Sequence, residues 1–244
     1  MIFGLKILLI DNNDSFTYNL VQLIEQSGFF CEVINDSFFN SSIEIIEEYV
    51  SKFEYFVFSP GPGLPSEAKG MNYILREYSD RNILGICLGH QAIAEHFGAK
   101  LSNHPIPFHG IKSQSKILNI NNNKIFKNIP DNFNIGRYHS WYVDFADLPD
   151  CFEITCISED NTIMGLSHKK LNIHGLQFHP ESYLSEFGHQ IIKNFMSSLS
   201  TLILPPFFSA NSLHNINPRP VPFSLFVPRV ETCLSILNKS CNFS

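Results

Sequence analysis

The sequence has little of what a membrane protein, an exported scaffold or a nucleic-acid binder requires. No apolar run approaches the length of a membrane span. The formal net charge is -6 and the basic residues form no stripe, which argues against general nucleic-acid binding. The first residues lack the charged start, long apolar stretch and cleavage site of a signal peptide. We therefore expect a cytoplasmic protein that binds neither nucleic acid nor membrane.

Cysteine is also scarce. The 244 residues include six cysteines, too few and too scattered for a disulfide framework, and no two of them form a C-x-x-C pair. Reduced thiols in a cytoplasm are the simplest interpretation. No two histidines have the spacing of zinc ligands on one helix, so the sequence predicts no metal and no other cofactor.

What is present is a repeated alternation of apolar strands and amphipathic helices. The predicted strands lie at 6–10, 30–34, 55–58 and 83–86, and the predicted helices at 15–26, 43–50, 71–78 and 88–97. This alternation predicts an α/β fold, with an open, mostly parallel sheet and helices on both faces. Sites in such sheets form at the carboxyl ends of the strands. Unusual loops at 11–15, 59–65 and 87 follow three of the strands, so we expect them to converge at one edge.

The pattern changes after residue 101. Shorter strands predicted at 116–120, 141–145, 153–158 and 162–167 suggest an antiparallel layer added to the main sheet. An apolar strand returns at 173–178, and a last helix is predicted at 186–199. We assign 1–200 to this domain and 201–244 to a proline-rich tail. The tail could dock a partner, be a remnant of a fused domain, or have no selected function.

The segment around Cys87 carries the strongest chemical signal. Gly85-Ile86-Cys87-Leu88-Gly89 joins a strand to a helix in the glycine–x–nucleophile–x–glycine pattern of a nucleophile elbow. The glycines permit close packing of strand and helix, and the helix N-terminus favours a thiolate. A buried cysteine is otherwise often a small core residue, so the pattern alone leaves both interpretations open.

A cysteine nucleophile needs a base, an orienting group and donors for an oxyanion. His179 and Glu181 follow the predicted strand 173–178 and form the best candidate pair, with Pro180 fixing the turn between them. The expected oxyanion donors are the backbone of the loop Gly61-Pro62-Gly63 and the amide of Leu88. A loop of this composition is also common as a simple turn.

Four motifs together resemble the class I (triad) glutamine amidotransferases. These are GICLGHQ at 85–91, SPGPG at 59–63, RYHS at 137–140 and GLQFHPES at 175–182. The opening DNNDSFTYNL at 11–20 resembles the glutaminase subunits of anthranilate synthase and of aminodeoxychorismate synthase. The resemblance covers about 5–199.

The resemblance implies a fold, a substrate and a partner. Cys87 would attack the side-chain amide of L-glutamine, with His179 as base and Glu181 orienting it. Gln91 and the backbone of Ser140 and Trp141 would hold glutamine, although Trp141 stands where the family more often has leucine. The ammonia would pass to a chorismate-binding synthase subunit in a hetero-oligomer.

Four functions remain open from the sequence. The glutaminase subunit of anthranilate synthase is favoured, and the glutaminase subunit of aminodeoxychorismate synthase is the alternative. A stand-alone gamma-glutamyl cysteine hydrolase is disfavoured by the segment 11–20. A non-catalytic subunit would have no need of Cys87, His179 and Glu181.

Overall fold

The computed structural model describes residues 6–118 and 124–197. Within these ranges the chain forms eleven strands and five α-helices. The strands are β1 (Lys6–Asp11), β2 (Phe30–Asn35), β3 (Tyr55–Phe58), β4 (Asn82–Ile86), β5 (Leu101–Asn103), β6 (Ile111–Ile117), β7 (Asn132–Arg137), β8 (Trp141–Val143), β9 (Phe152–Ser158), β10 (Ile163–His168) and β11 (Ile173–Leu176). The helices are α1 (Thr17–Gln26), α2 (Ile43–Val50), α3 (Lys69–Glu77), α4 (Leu88–His96) and α5 (Gly188–Ser197).

Nine strands form one sheet in the order β2-β1-β3-β4-β11-β10-β9-β6-β7. The strands from β2 to β11 in this order are parallel, and those from β10 to β7 are antiparallel. A small second sheet pairs β5 with β8. The predicted α/β fold is therefore confirmed. The antiparallel strands continue the parallel sheet through the β10–β11 pair rather than packing on it as a separate layer.

Two apolar cores lie on opposite faces of the sheet. Alternate residues of β1 point to opposite sides, with Ile7 and Leu9 in one core and Leu8 and Ile10 in the other. Side chains of α1 and α5 fill the first core, and those of α2, α3 and α4 fill the second. Removing this apolar surface from water is the main force that holds the helices against the sheet.

The boundaries of several elements differ from the prediction. The sequence predicts a strand at 116–120, whereas β6 is Ile111–Ile117, and it predicts no strand at β5 or β7. The buried face of β6 includes Ser113 and Ser115, so its alternation is not apolar. The first helix begins at Thr17 rather than beside Asp14. The carboxylate of Asp14 instead accepts a hydrogen bond from the amide of Phe16 at 2.7 Å, in the turn before the helix.

The predicted tail at 201–244 lies outside the described residues. Among the residues that are described, no helix is both long enough and apolar enough to cross a membrane.

The loops after β1, β3 and β4 meet at one edge of the sheet, as expected. The backbone amide of Asn12 donates to the hydroxyl of Ser59 at 2.9 Å, and its side-chain amide donates to the Ser59 carbonyl at 3.2 Å. Gly61 lies so close to both neighbouring loops that an added Cβ would be 2.7 Å from Asn12 Cβ and 3.0 Å from Leu88 Cδ2. This edge carries the candidate site.

Candidate active site

Cys87 forms the sharp turn between β4 and α4. Its φ of 52° and ψ of -100° lie in a region that residues with side chains rarely adopt, so the backbone is strained there. An added Cβ at Gly85 would lie 2.4 Å from the carbonyl of Gly89, and one at Gly89 would lie 2.6 Å from Phe58 Cβ. Glycine at both positions lets α4 pack directly on β3 and β4, which places Cys87 at the N-terminus of α4.

His179 and Glu181 lie just beyond β11, the parallel neighbour of β4. Because the two strands run side by side, the residues that follow them emerge at the same edge of the sheet. His179 Nδ1 lies 2.7 Å from Glu181 Oε1, and the two side chains are 2 % and 0 % exposed. Two hydrogen bonds fix the turn. The amide of His179 donates to the carbonyl of Gly136, and the hydroxyl of Ser185 donates to the carbonyl of His179.

The surroundings of His179 favour its protonated form. Burial by itself lowers the pKa of His179, but Cys87 and Glu181 outweigh burial and raise this pKa well above the usual histidine value. Since Glu181 takes Nδ1, Nε2 is the nitrogen left for Cys87. It is buried and has no other hydrogen-bond partner among the described residues. Rings of Phe16 and Tyr138 pack against the imidazole at centroid distances of 5.9 and 4.9 Å.

The loop after β3 lines the same cleft as Cys87. Its far end is held by Glu67, whose carboxylate accepts the amide of Leu64 at 2.9 Å while the Glu67 amide donates to the Leu64 carbonyl at 3.0 Å. Its near end is held by the contacts of Ser59 described above. Leu88 is the first residue of α4, so its amide has no acceptor within the helix. Such fixed donors are suited to an anionic oxygen.

A cleft of about 500 Å³ opens beside Cys87. All the substrate-binding residues suggested by the sequence line it with Cys87, namely Gly61, Pro62, Gly63, Leu88, Gln91, Ser140 and Trp141. Four further lining residues have no role in the sequence prediction: Leu64, Glu67, Tyr138 and His139. His179 and Glu181 are buried beside Cys87 instead of lining the cleft.

The polar groups under this cleft include Gln177, to which the sequence analysis assigns no role. Gln177 is fully buried, and its amide nitrogen lies 3.7 Å from the sulfur of Cys87. The position stands within the motif at 175–182, which is the only sequence signal for it. Its side chain also accepts a hydrogen bond from Gln91, which in turn donates to the carbonyl of Trp141, and both residues are distant in sequence.

Other histidines are buried as neutral groups. Burial lowers the pKa of His90 and that of His174 to about 4, and burial together with Arg137 lowers that of His139 to about 3. Across 6–118 and 124–197, no three His, Cys, Asp or Glu side chains are grouped so as to hold a metal ion.

The fold and the site together define a class: an α/β protein with a cysteine, a histidine and a glutamate brought together at the carboxyl edge of a parallel sheet. The family model for class-I glutamine amidotransferases matches residues 8–199. This chain belongs to the class I glutamine amidotransferase family.

Relatives of known name agree with this assignment. The chain is 41 % identical over 199 residues to anthranilate synthase component 2 of Azospirillum brasilense, covering 80 % of this chain and 97 % of the relative. It is 41 % identical over 193 residues to aminodeoxychorismate synthase component 2 of Escherichia coli, covering 78 % and 98 %. A solved structure from Thermoplasma acidophilum, provisionally described as part of a GMP synthase, matches with a TM-score of 0.68 and 26 % identity over 79 % of this chain and 92 % of that one.

Proposed function

We propose that this chain hydrolyses glutamine through Cys87 and delivers the ammonia to a separate chorismate-binding subunit that makes anthranilate. The observation that carries the proposal is the strained Cys87 turn beside the buried His179–Glu181 pair, at a cleft that the glycine loop and the first residue of α4 also line. Three groups with these functions at one edge are what amide cleavage by a thiol requires.

The chemistry proceeds in two stages. His179 takes the proton of Cys87, and the sulfur attacks the side-chain amide carbon of glutamine. The developing oxyanion accepts hydrogen bonds from amides of the Gly61–Gly63 loop and of Leu88. His179 then gives its proton to the departing nitrogen, so ammonia leaves and a glutamyl thioester remains. Water, deprotonated by His179, attacks the thioester and releases glutamate and the thiol.

The side chain of Gln91 is placed to accept a hydrogen bond from the substrate. Its Nε2 donates to the Trp141 carbonyl at 2.9 Å and to Gln177 Oε1 at 3.2 Å, which uses both of its hydrogens. Oε1 is then the atom left to face the cleft, and it can only accept. We assign it to an N–H of glutamine. The backbone of Ser140 and Trp141 completes the wall, so tryptophan in place of leucine is compatible with a main-chain contact.

The partner is inferred from relatives. Component 2 proteins of anthranilate synthase and of aminodeoxychorismate synthase match this chain equally well at 41 % identity, so the second is the alternative acceptor of ammonia. We propose a cytoplasmic location, which fits the free state of the cysteines described: Cys31, Cys87, Cys151 and Cys156.

The test is glutamine hydrolysis by the purified full chain, alone and with a chorismate-binding anthranilate synthase subunit plus chorismate. We expect strong stimulation by the partner and formation of anthranilate. Cys87→Ser should abolish synthesis from glutamine while synthesis from an added ammonium salt persists, because only the ammonia source is lost.

Cys151→Ser is the matched control, since this half-buried cysteine lies outside the cleft. Stimulation only by an aminodeoxychorismate synthase subunit would establish the alternative. High activity without any partner would overturn the assignment to a two-component enzyme. Full activity of Cys87→Ser with glutamine would exclude Cys87 as the nucleophile.

A further inference from the structure

The sulfur of Cys87 is in contact with a buried side-chain amide. Gln177 is 0 % exposed, follows β11 directly, and places its Nε2 3.7 Å from Cys87 Sγ, within hydrogen-bonding range for sulfur. A buried amide without a partner is costly, so this contact has an energetic reason to persist. The contact alone leaves open which end of the amide faces the sulfur.

The orientation is fixed by a backbone carbonyl. The carbonyl of Trp141 can only accept a hydrogen bond, so the atom of Gln91 at 2.9 Å from it must be the nitrogen. The same nitrogen lies 3.2 Å from Gln177, which must therefore present its oxygen. The nitrogen of Gln177 is then the end that faces Cys87 and donates to it.

The Trp141 carbonyl is held by a second chain of hydrogen bonds. His139 Nδ1 lies 2.9 Å from it. Arg137 Nε lies 3.3 Å from His139 Nε2, and since arginine can only donate, Nε2 accepts and Nδ1 carries the hydrogen. Arg137 is itself paired with Asp160 at 2.9 Å. The donor and acceptor of each of these hydrogen bonds are thus fixed, because the arginine can only donate and the backbone carbonyl can only accept.

We propose that Gln177 is a further catalytic residue, which donates a hydrogen bond to the Cys87 sulfur and so stabilises the thiolate together with His179. The chain of hydrogen bonds from Asp160 through Arg137, His139, Trp141 and Gln91 keeps this donor in place. This inference rests on the proposed function in so far as Cys87 is the nucleophile. It adds a group that the cysteine–histidine–glutamate set leaves out.

The test measures the sulfur directly. The full chain is treated with iodoacetamide, whose iodide is displaced by the thiolate, and alkylation of the Cys87 peptide is followed by mass spectrometry against pH. Gln177→Met removes the donor at similar size, and Gln177→Glu keeps an acceptor for Gln91 while placing a carboxylate at the sulfur. We expect the pH midpoint to rise by about one to two units in the Met variant, because a hydrogen bond to a charged atom is lost. It should rise further in the Glu variant.

Thr155→Val is the matched control. Thr155 is buried on β9, and its hydroxyl has no partner among the described residues, so valine should fold and leave the midpoint unchanged. Urea unfolding of each variant shows whether it is folded, and either Gln177 variant suffices if the other is not.

An unchanged midpoint in a folded Gln177 variant would overturn the proposal and leave Gln177 as packing. The assay needs neither glutamine turnover nor a partner. A shifted midpoint in a chain that hydrolyses no glutamine even with the chorismate-binding subunit would therefore support the hydrogen bond while refuting the proposed function.

Discussion

At the scale of single residues, the site depends on side chains whose polar atoms are directed by burial. His179 and Glu181 are separated by Pro180, and a spacing of two residues in an extended loop does not by itself point both side chains the same way. The structure brings them to 2.7 Å because the carbonyl and amide of His179 are tied to Ser185 and Gly136. Glu181 thereby sets which ring nitrogen is left for Cys87.

Glu181→Gln tests this arrangement. The amide keeps the size of the carboxylate but loses the charge that stabilises the imidazolium, so the pKa of His179 should fall toward its usual range. We expect glutamine hydrolysis with the partner to drop by about 10²- to 10⁴-fold, as for other triads that lose the orienting carboxylate. The rate is measured across pH in the complex.

Glu186→Gln provides the same chemical change at an exposed carboxylate that hydrogen-bonds Asn134. It should keep the native rate. A Glu181→Gln protein as fast as Glu186→Gln would show that the charge of Glu181 contributes nothing.

At the scale of elements, the site is built by the junction of β4 and α4. The helix lies so close to the sheet that Gly89 packs on Phe58 of β3 with no room for a side chain. The strain at Cys87 persists because this packing over-determines it. The position of Cys87 and the stability of the junction are therefore linked.

Gly89→Ala should disturb both. Its methyl group would lie 2.6 Å from Phe58 Cβ, so α4 must move away from β3, which we expect to cost about 1–3 kcal/mol of unfolding free energy. Glutamine hydrolysis should fall sharply because Cys87 moves with the helix. Urea unfolding and the glutaminase assay in the complex measure the two effects.

Gly98→Ala separates stability from geometry. Gly98 lies two residues beyond the last residue of the same helix with a φ of 99°, and an added Cβ would meet nothing within 4 Å. It should cost about 1 kcal/mol through its backbone conformation and keep the native activity. Native activity in Gly89→Ala would contradict the importance of close packing at the elbow.

The elements that the sequence predicted are those with apolar runs. Residues 43–50 and 55–58 are predicted with the bounds of α2 and β3, because their buried faces are apolar. The pattern misses β7, since it carries the buried Arg137, whose charge is compensated by Asp160 in the turn between β9 and β10. The motifs predict Cys87 and His179 as catalytic residues and predict the residues that line the cleft, whereas the proposed role of Gln177 follows only from contacts between distant segments.

At the scale of the whole molecule, buried neutral histidines set the response to acid. His90, His139 and His174 have pKa values of about 4, 3 and 4, against about 6.5 in the unfolded chain, chiefly because of burial. As pH falls below 6.5, the unfolded state binds protons that the folded state does not, so stability falls. At pH 5 each histidine should cost about 2 kcal/mol.

His179 does not offset this loss. Its pKa is raised in the folded state, so its stabilising contribution is fully present below pH 6.5 and is lost only as pH rises through the raised value. The expected result is a protein that loses stability steeply between pH 6.5 and about 4.

Urea unfolding at pH 7 and pH 5 measures the acid loss. His174→Gln removes one of the three titrating groups, and glutamine can still contact Ser167 and Asn172, the partners of the ring. The difference in stability between the two pH values should shrink by about 2 kcal/mol relative to the native protein. An unchanged difference would mean that His174 is not buried as a neutral group.

The position of β11 in the sheet has a consequence for how the domain folds during synthesis. β11 is the last strand of the chain among those described, yet it lies between β4 and β10. During synthesis, both of these strands have an open edge until β11 is made, which favours slow closure and transient association with other chains. Cys87 follows β4, and His179 follows β11. A nascent chain thus carries the proposed nucleophile without its proposed base, and we expect the two to meet only when the domain is nearly complete.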